Sequence, residues 1–211
     1  MFPELFLDDV FTLETPRLFL RWPKASDATM IAELAGDRRV AEMTSHIPHP
    51  YPPEAAMQII LAHRAANAEG GRIGLIIAPR NKPESVLGMV SVQRAPANQS
   101  GPDQVTLGYW LGVPHWGNGY MTEAVQALID AVFLYTKEKS IAAAIRVTNT
   151  ASRKVLEHCG FQYEGGGMSL RPAWGDSAPS DFYRLTRPLW SSLKGWRAPV
   201  PYGREVAVGG M

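Results

Sequence analysis

Leu107-Gly108-Tyr109-Trp110-Leu111-Gly112-Val113-Pro114-His115-Trp116-Gly117-Asn118-Gly119-Tyr120-Met121-Thr122-Glu123-Ala124 is the stretch on which the fold turns. Its first part closes a segment, Gln104 to Val113, whose apolar and β-branched residues suit a strand. From Met121 onward the apolar positions are Val125, Leu128, Ile129, Val132 and Phe133, the spacing of an amphipathic helix of about four turns. A turn holding Gly117 and Gly119 joins the two. It leaves unpaired N–H groups at a helix N-terminus, where the helix dipole adds positive potential, and glycine lets a ligand approach the backbone closely. That is a site for a phosphate or pyrophosphate. A dinucleotide fingerprint does not fit, because Thr122 stands where its third glycine belongs, and no Gly-Lys-Ser/Thr follows as in a triphosphate loop.

Outward from this stretch the chain alternates clear elements with clear breaks. Arg17 to Trp22 reads as a strand stopped by Pro23; Ser26 or Asp27 can cap a helix running to about Gly36. Thr44 to Pro53 carries four prolines and is a stiff loop. Met57, Ile60, Leu61, Ala65 and Ala68 give a second helix that ends at Gly70-Gly71, where a left-handed cap is expected. Arg72 to Ala78, Val86 to Arg94 and Gln104 to Val113 are three strands of an antiparallel meander, separated by Asn81-Lys82-Pro83 and by residues 96–102. After the long helix come a strand at 141–147, a short helix at 150–159 ended by Gly160, and strands at 161–170 and 181–189. The expected order is β, α, α, β, β, β, α, β, α, β, β. Residues 1–190 form one domain in this reading, and 191–211, with glycines, prolines and little periodicity, form a mobile or partner-bound tail.

Composition narrows the function classes. A hydrophobic content of 45% suits one globular core, and 21 basic against 20 acidic residues give no global field for nucleic acid or an anionic membrane. The lone Cys159 excludes an internal disulfide framework, no apolar stretch is long enough to span a bilayer, and the N-terminus lacks the basic region of a secretory signal. The expected location is the cytoplasm. His63 and His158 have no second ligand at metal spacing, so no metal site is expected.

Trp116 to Ala124, preceded by Gly108-Tyr109-Trp110, resembles the coenzyme A signature of the GNAT N-acetyltransferase superfamily, in the branch of the RimJ/RimL-like ribosomal-protein N-terminal acetyltransferases. Asn149-Thr150-Ala151-Ser152 and the later Gly160-Phe161 resemble that branch's Asn-x-x-Ser and Gly-Phe segments. Leu13 to Leu18 and Tyr183 to Thr186 match its ends, so the resemblance covers about residues 13–189.

The resemblance implies an α+β, acyl-CoA N-acyltransferase fold: a mostly antiparallel sheet flanked by helices and splayed between its fourth and fifth strands, here 104–113 and 141–147. It implies acetyl-CoA as cosubstrate, with backbone contacts to its pantetheine arm from Leu111, Gly112 and Val113. The pyrophosphate would lie on the amides of Trp116, Gly117, Asn118, Gly119, Tyr120 and Met121 and on the Thr122 hydroxyl. Asn149 would hold the pantetheine from the far side, with Arg153 or Lys154 near the adenosine. The implied reaction is direct attack of a neutral primary amine on the thioester, with a Leu111 or Val113 amide as oxyanion donor. Leu156 stands where many relatives place an acidic tyrosine, which leaves Ser152 as the candidate acid. Thr106 stands where this branch often has glutamate as base. Without a base, an α-amine is the favoured acceptor, because about a tenth of it is neutral near pH 7 against under a thousandth of a lysine.

His46, His49, Tyr51 and Trp174 are the candidates for the acceptor pocket, although imidazoles in a proline-rich loop are more often simply solvated. Asn149 also reads as a plain helix N-cap, and Cys159 as a small buried hydrophobe. The competing functions are a non-catalytic acyl-CoA-binding module, an acetyltransferase of polyamines or antibiotics, a nucleotide-dependent oxidoreductase, and an interaction protein using its tail. The chain is expected as monomer or homodimer, with an amine acceptor as partner and no nucleic acid or membrane.

Overall fold

The computed structural model describes residues 1–52, 54–95 and 104–194. Eight strands form a single mixed sheet: β1 (Thr12–Glu14), β2 (Leu18–Arg21), β3 (Arg72–Pro79), β4 (Gly88–Ala95), β5 (Gln104–Leu111), β6 (Ser140–Arg146), β7 (Gln162–Arg171) and β8 (Asp176–Thr186). Their spatial order is β1-β2-β3-β4-β5-β6-β8-β7. Every pairing is antiparallel except β5 with β6. The helices are α1 (Ala28–Ala35), α2 (Arg38–Ala41), α3 (Ala55–Ala68), α4 (Tyr120–Tyr135), α5 (Thr150–His158) and α6 (Arg187–Lys194). The fold is therefore the expected α+β sheet with flanking helices.

The sheet is apolar on both faces. β3 shows why, with six consecutive buried residues from Ile73 to Ala78. Ile73, Leu75 and Ile77 join one core with Val125, Leu128, Ile129, Val132 and Phe133 of α4 and Leu156 of α5. Ile76 and Met89 join a second with Ile31 and Ala35 of α1, Val40 of α2 and Ile60 of α3. Where β2 no longer covers β3, the buried Asn67 of α3 takes over: its Nδ2 donates to Gly74 O (3.0 Å) and its Oδ1 accepts from Gly74 N (2.8 Å). A side-chain amide thus stands in for the missing strand.

Four local expectations are corrected. β1 is an extra strand, closed onto β2 through the Thr15 hydroxyl, which accepts from Leu18 N at 2.9 Å. Asp27 does not cap α1; it turns inward to Arg21, whose Nη1 and Nη2 reach its two oxygens at 2.8 Å each. The short α2 follows Asp37, whose carboxylate accepts from Arg39 N at 2.9 Å. The last strand starts at Asp176, and the chain turns helical at Arg187 instead of extending to 189. The cause is the Arg187 guanidinium, which caps the end of α4 by donating to Phe133 O and to Thr136 O (2.7 Å). α6 takes in residues 191–194, and the rest of the expected tail lies outside the described residues.

Candidate active site

β5 and β6 are paired only at Val105↔Ile141 and Thr106↔Ala142; beyond that point they part. The Gly112 N–H donates to Leu87 O at 2.8 Å. The alternation of an antiparallel ladder then turns the N–H groups of Tyr109 and Leu111 the other way, toward the gap. On that same side the Trp116 indole Nε1 donates to Leu111 O at 2.7 Å, so the carbonyl is satisfied and the Leu111 amide is left facing the opening. Of the three residues expected to offer backbone contacts here, Leu111 turns its N–H toward the gap, Gly112 donates its N–H to Leu87 O, and Val113 lies in a 3-10 turn, Val113–His115.

The glycine turn closes the gap at one end. Gly117 and Gly119 have φ of 78° and 73°, the left-handed region that favours glycine, and a Cβ at Gly117 would meet nothing within 4 Å. Conformation therefore demands the glycines; open space lies above Gly117, whereas a Cβ at Gly119 would meet Arg17 Nη2 at 3.5 Å. The Trp116 amide, expected among the phosphate donors, donates to Val113 O at 3.2 Å. Those of Gly117, Asn118, Gly119, Tyr120, Met121 and Thr122 donate to no backbone acceptor among the described residues. Arg17 holds the turn in shape. Its Nη1 donates to Asn118 O (2.9 Å), its Nε to Glu123 Oε2 (2.6 Å), and its guanidinium lies 4.8 Å from the centre of the Tyr120 ring. The Thr15 hydroxyl donates to Glu123 Oε1 at 2.6 Å, so this cavity-lining carboxylate is fully engaged.

Across the gap, α5 presents Asn149 and Ser152. Asn149 caps the helix through Oδ1, which accepts from Ser152 N at 3.0 Å. Ser152 is buried, and its Oγ lies 2.7 Å from the Tyr109 hydroxyl. Burial pushes the Tyr109 phenol up, opposed by that hydrogen bond, so the group stays a neutral hydroxyl. Reasoning from sequence missed Tyr109, although it lay inside the quoted Gly108-Tyr109-Trp110; only the fold brings it to Ser152. Arg153 turns away to Asp181 (2.7 Å), whereas Lys154 lines the cavity. Cys159 is buried, as expected of a small hydrophobe.

One continuous cavity of about 1560 Å³ joins this cleft to the opposite face of the sheet. Its walls include Leu111, Trp116, Gly117, Gly119, Tyr120, Met121, Thr122, Asn149, Ser152 and Lys154, and on the far side His46, Arg72, Ser91 and Gln93. Of the four acceptor-pocket candidates only His46 is among them. The His49 ring Nδ1 is bonded to Gly36 O at 3.2 Å, and Tyr51 and Trp174 pack against the second core. Burial pushes the Tyr51 phenol up to about 12, and it holds His46 below the ordinary imidazole range, with the charge of Arg72 adding to the effect. Glu42 also lines the cavity, but its carboxylate is paired with Arg38. Among the described residues no group of three or more potential ligands could hold a metal ion, and no helix is long and apolar enough to cross a membrane.

Residues 17–162 match the family model described as Acetyltransferase (GNAT) domain. The chain is 29% identical over 155 residues to an N-acetyltransferase called p20 from Bacillus licheniformis, a match that spans 73% of this chain and 84% of that protein. A GNAT-family acetyltransferase from Bacillus anthracis superposes with a TM-score of 0.70 at 18% identity, covering 84% of this chain and 99% of that one. RimL, a ribosomal L7/L12 alpha-N-protein acetyltransferase solved in complex with coenzyme A, superposes with a TM-score of 0.68 at 20% identity, covering 83% and 98%.

Proposed function

The chain belongs to the GNAT acetyltransferases, and we propose that it takes acetyl-CoA into the gap between β5 and β6 and acetylates an α-amine, in the first place that of a protein or peptide N-terminus. The observation that carries this is the coincidence of two features: a sheet edge opened by the parting strands, and at its mouth a helix N-terminus whose six amides, 117–122, have no partner among the described residues. An amide-rich arm ending in a diphosphate suits the first feature along its length and the second at its end. Acetyl-CoA supplies the thioester carbonyl that an amine can attack. RimL, with the same fold, is named for N-terminal acetylation of a protein.

The chain's own residues have separable roles in this reading. The amides of residues 117–122 bind the diphosphate, and Arg17 keeps them in array. The Leu111 N–H, already directed into the gap, stabilises negative charge on the reacting oxygen, an effect of about 2.7–4 kcal/mol for such a donor elsewhere. Tyr109 holds Ser152, whose hydroxyl proton is available to the leaving sulfur. With Glu123 and Glu42 both paired, no cavity-lining carboxylate among the described residues serves as base. Proton removal falls to water or to His46, which its depressed pKa keeps neutral near pH 7.

Calorimetric titration with coenzyme A, followed by mass spectrometry of a peptide with a free N-terminus and of its lysine-only counterpart, tests both halves. The expected result is binding and preferential acetylation of the N-terminus. Failure to bind coenzyme A would overturn the reading; binding with a clear lysine preference would overturn the choice of acceptor.

A further inference from the structure

The face of the sheet opposite α4 carries three side-chain rows across β3, β4 and β5, fixed by their register. Ile76, Met89 and Trp110 form an apolar row. Gly74, Ser91 and Gly108 form a row of small residues, and a Cβ at Gly108 would meet only Ser91 Oγ, at 3.7 Å. Arg72, Gln93 and Thr106 form a polar row. Ser91, Gly108 and the whole polar row line the cavity, so its floor is a depression with an apolar wall at one end and a guanidinium at the other.

Among the described residues that guanidinium has no counter-ion. Among the described residues no carboxylate lies within ion-pair distance of Arg72, although the side chain is half-buried and burial lowers its pKa. Its contacts are neutral: Nη1 donates to His63 Nε2 at 2.7 Å, and Nη2 donates to Gln93 Oε1. Arginine has only donors, so His63 Nε2 must be accepting, which leaves the imidazole neutral with its proton on Nδ1. Gln93, accepting through oxygen, keeps its NH₂ group for another partner. A cation taken from water without an anion is costly, and here it is held in place by two neutral acceptors beside unused donors.

We propose that this end of the cavity is an anion subsite: Arg72, oriented by His63 and Gln93, receives a carboxylate or phosphate carried by the same molecule that presents the acceptor amine. The proposal rests on the acetyltransferase reading of the cavity and adds the chemical class of the acceptor. The same positive charge disfavours an ammonium nearby and so favours the neutral, reactive form of the amine.

The test compares N-terminal-amine peptides identical except for glutamate or glutamine at the second position, with a phosphoserine and serine pair as a second arm. The wild-type protein is expected to favour the anionic member by at least about tenfold in kcat/KM, the size of one charge-assisted contact. Arg72→Met should bring each pair within about twofold, while Arg72→Lys retains part of the preference. The arm with the larger ratio identifies carboxylate or phosphate. Equal rates in the wild type, or a preference that survives Arg72→Met, would overturn the subsite. If no peptide turns over, or if Arg72→Met does not fold, calorimetry decides with the wild type and Arg72→Lys. Tighter binding of the anionic members, weakened in the lysine variant, supports the proposal; equal or absent binding overturns it. Coenzyme A titration of the same samples reports separately on the acetyltransferase reading.

Discussion

The Tyr109 hydroxyl and the Ser152 Oγ lie 2.7 Å apart, joining β5 to the first turn of α5 across the cleft. Tyr109 can also donate to Ser152 O, at 3.3 Å. Tyr109 stays protonated; when its hydroxyl donates to Oγ rather than to Ser152 O, the serine is fixed in place and its own proton is free to serve the cavity. Replacing Ser152 by alanine should lower kcat by about 10²-fold, the lower end of general acid contributions. Tyr109→Phe should lower kcat by roughly tenfold with KM for acetyl-CoA within about twofold, since the change frees the serine without removing it. The double variant should be no slower than Ser152→Ala alone. Additive losses in steady-state kinetics would mean that the two hydroxyls act independently.

Arg17 connects three parts of the mouth: Asn118 O, the Glu123 carboxylate and the Tyr120 ring. Its side chain is 49% exposed, so the ion pair itself adds about 1 kcal/mol or less to stability. Its consequence lies in shape. Arg17→Met should raise KM for acetyl-CoA by about tenfold, with kcat nearly unchanged and a melting temperature close to wild type. A fall in kcat at unchanged KM would remove Arg17 from the binding turn.

The glycine turn and α4 were legible because both signals are local: Gly117 and Gly119 supply the left-handed residues, and Val125 to Phe133 keep helical spacing. The meander was legible for the same reason, its breaks falling at turn residues such as Asn81 and Pro83. What escaped depends on partners far along the chain. β1 is three residues long and buries only Leu13 among them, too little to show periodicity. α6 exists because Arg187 finds carbonyls at the end of α4, about 50 residues earlier. The commitment of the Gly112 amide to Leu87, the meeting of Tyr109 with Ser152, and the row from Arg72 to Thr106 all follow from register. A sequence read along its length does not display register. His49, Tyr51 and Trp174 illustrate the reverse case, in which residue types suited to a pocket serve a loop and a core.

Stability should depend strongly on Asp27, which the sequence suggested only as a cap. Its side chain is 1% exposed and that of Arg21 5%, and the carboxylate also accepts from Lys24 N at 2.7 Å. Arg21 Nε donates to Pro83 O at 2.7 Å, so the pair ties β2 to the β3–β4 turn. Asp27→Ala leaves a buried guanidinium unpaired and should cost about 3–5 kcal/mol. Removing both charges with Arg21→Met and Asp27→Leu should recover much of that loss. Urea unfolding of the three proteins measures it, and a single-variant loss under about 1 kcal/mol would show that water reaches the pair.

His63 gives the fold an acid sensitivity of calculable sign. Burial, with the charge of Arg72 adding to it, holds its pKa down at about 3, against about 6.5 in an unfolded chain. Between those values the unfolded chain binds a proton that the folded chain refuses. The stability supplied by a neutral His63 is therefore complete above about pH 6.5 and is lost as pH falls toward 3. One such proton gives a slope of about 1.4 kcal/mol per pH unit. Carboxylates such as Asp37, held at about 2 by Arg39, contribute mainly below pH 4, so the window from pH 6.5 to 5 isolates imidazole titration. His46, also depressed, loses stability in the same direction and stays in both proteins when His63 alone is changed. His63→Gln keeps an acceptor for Arg72 and removes the titrating ring. Urea unfolding across that window should show the wild type losing about 2 kcal/mol more than His63→Gln. Parallel curves would mean that His63 takes up its proton in the folded protein, and with it that Arg72 has released Nε2.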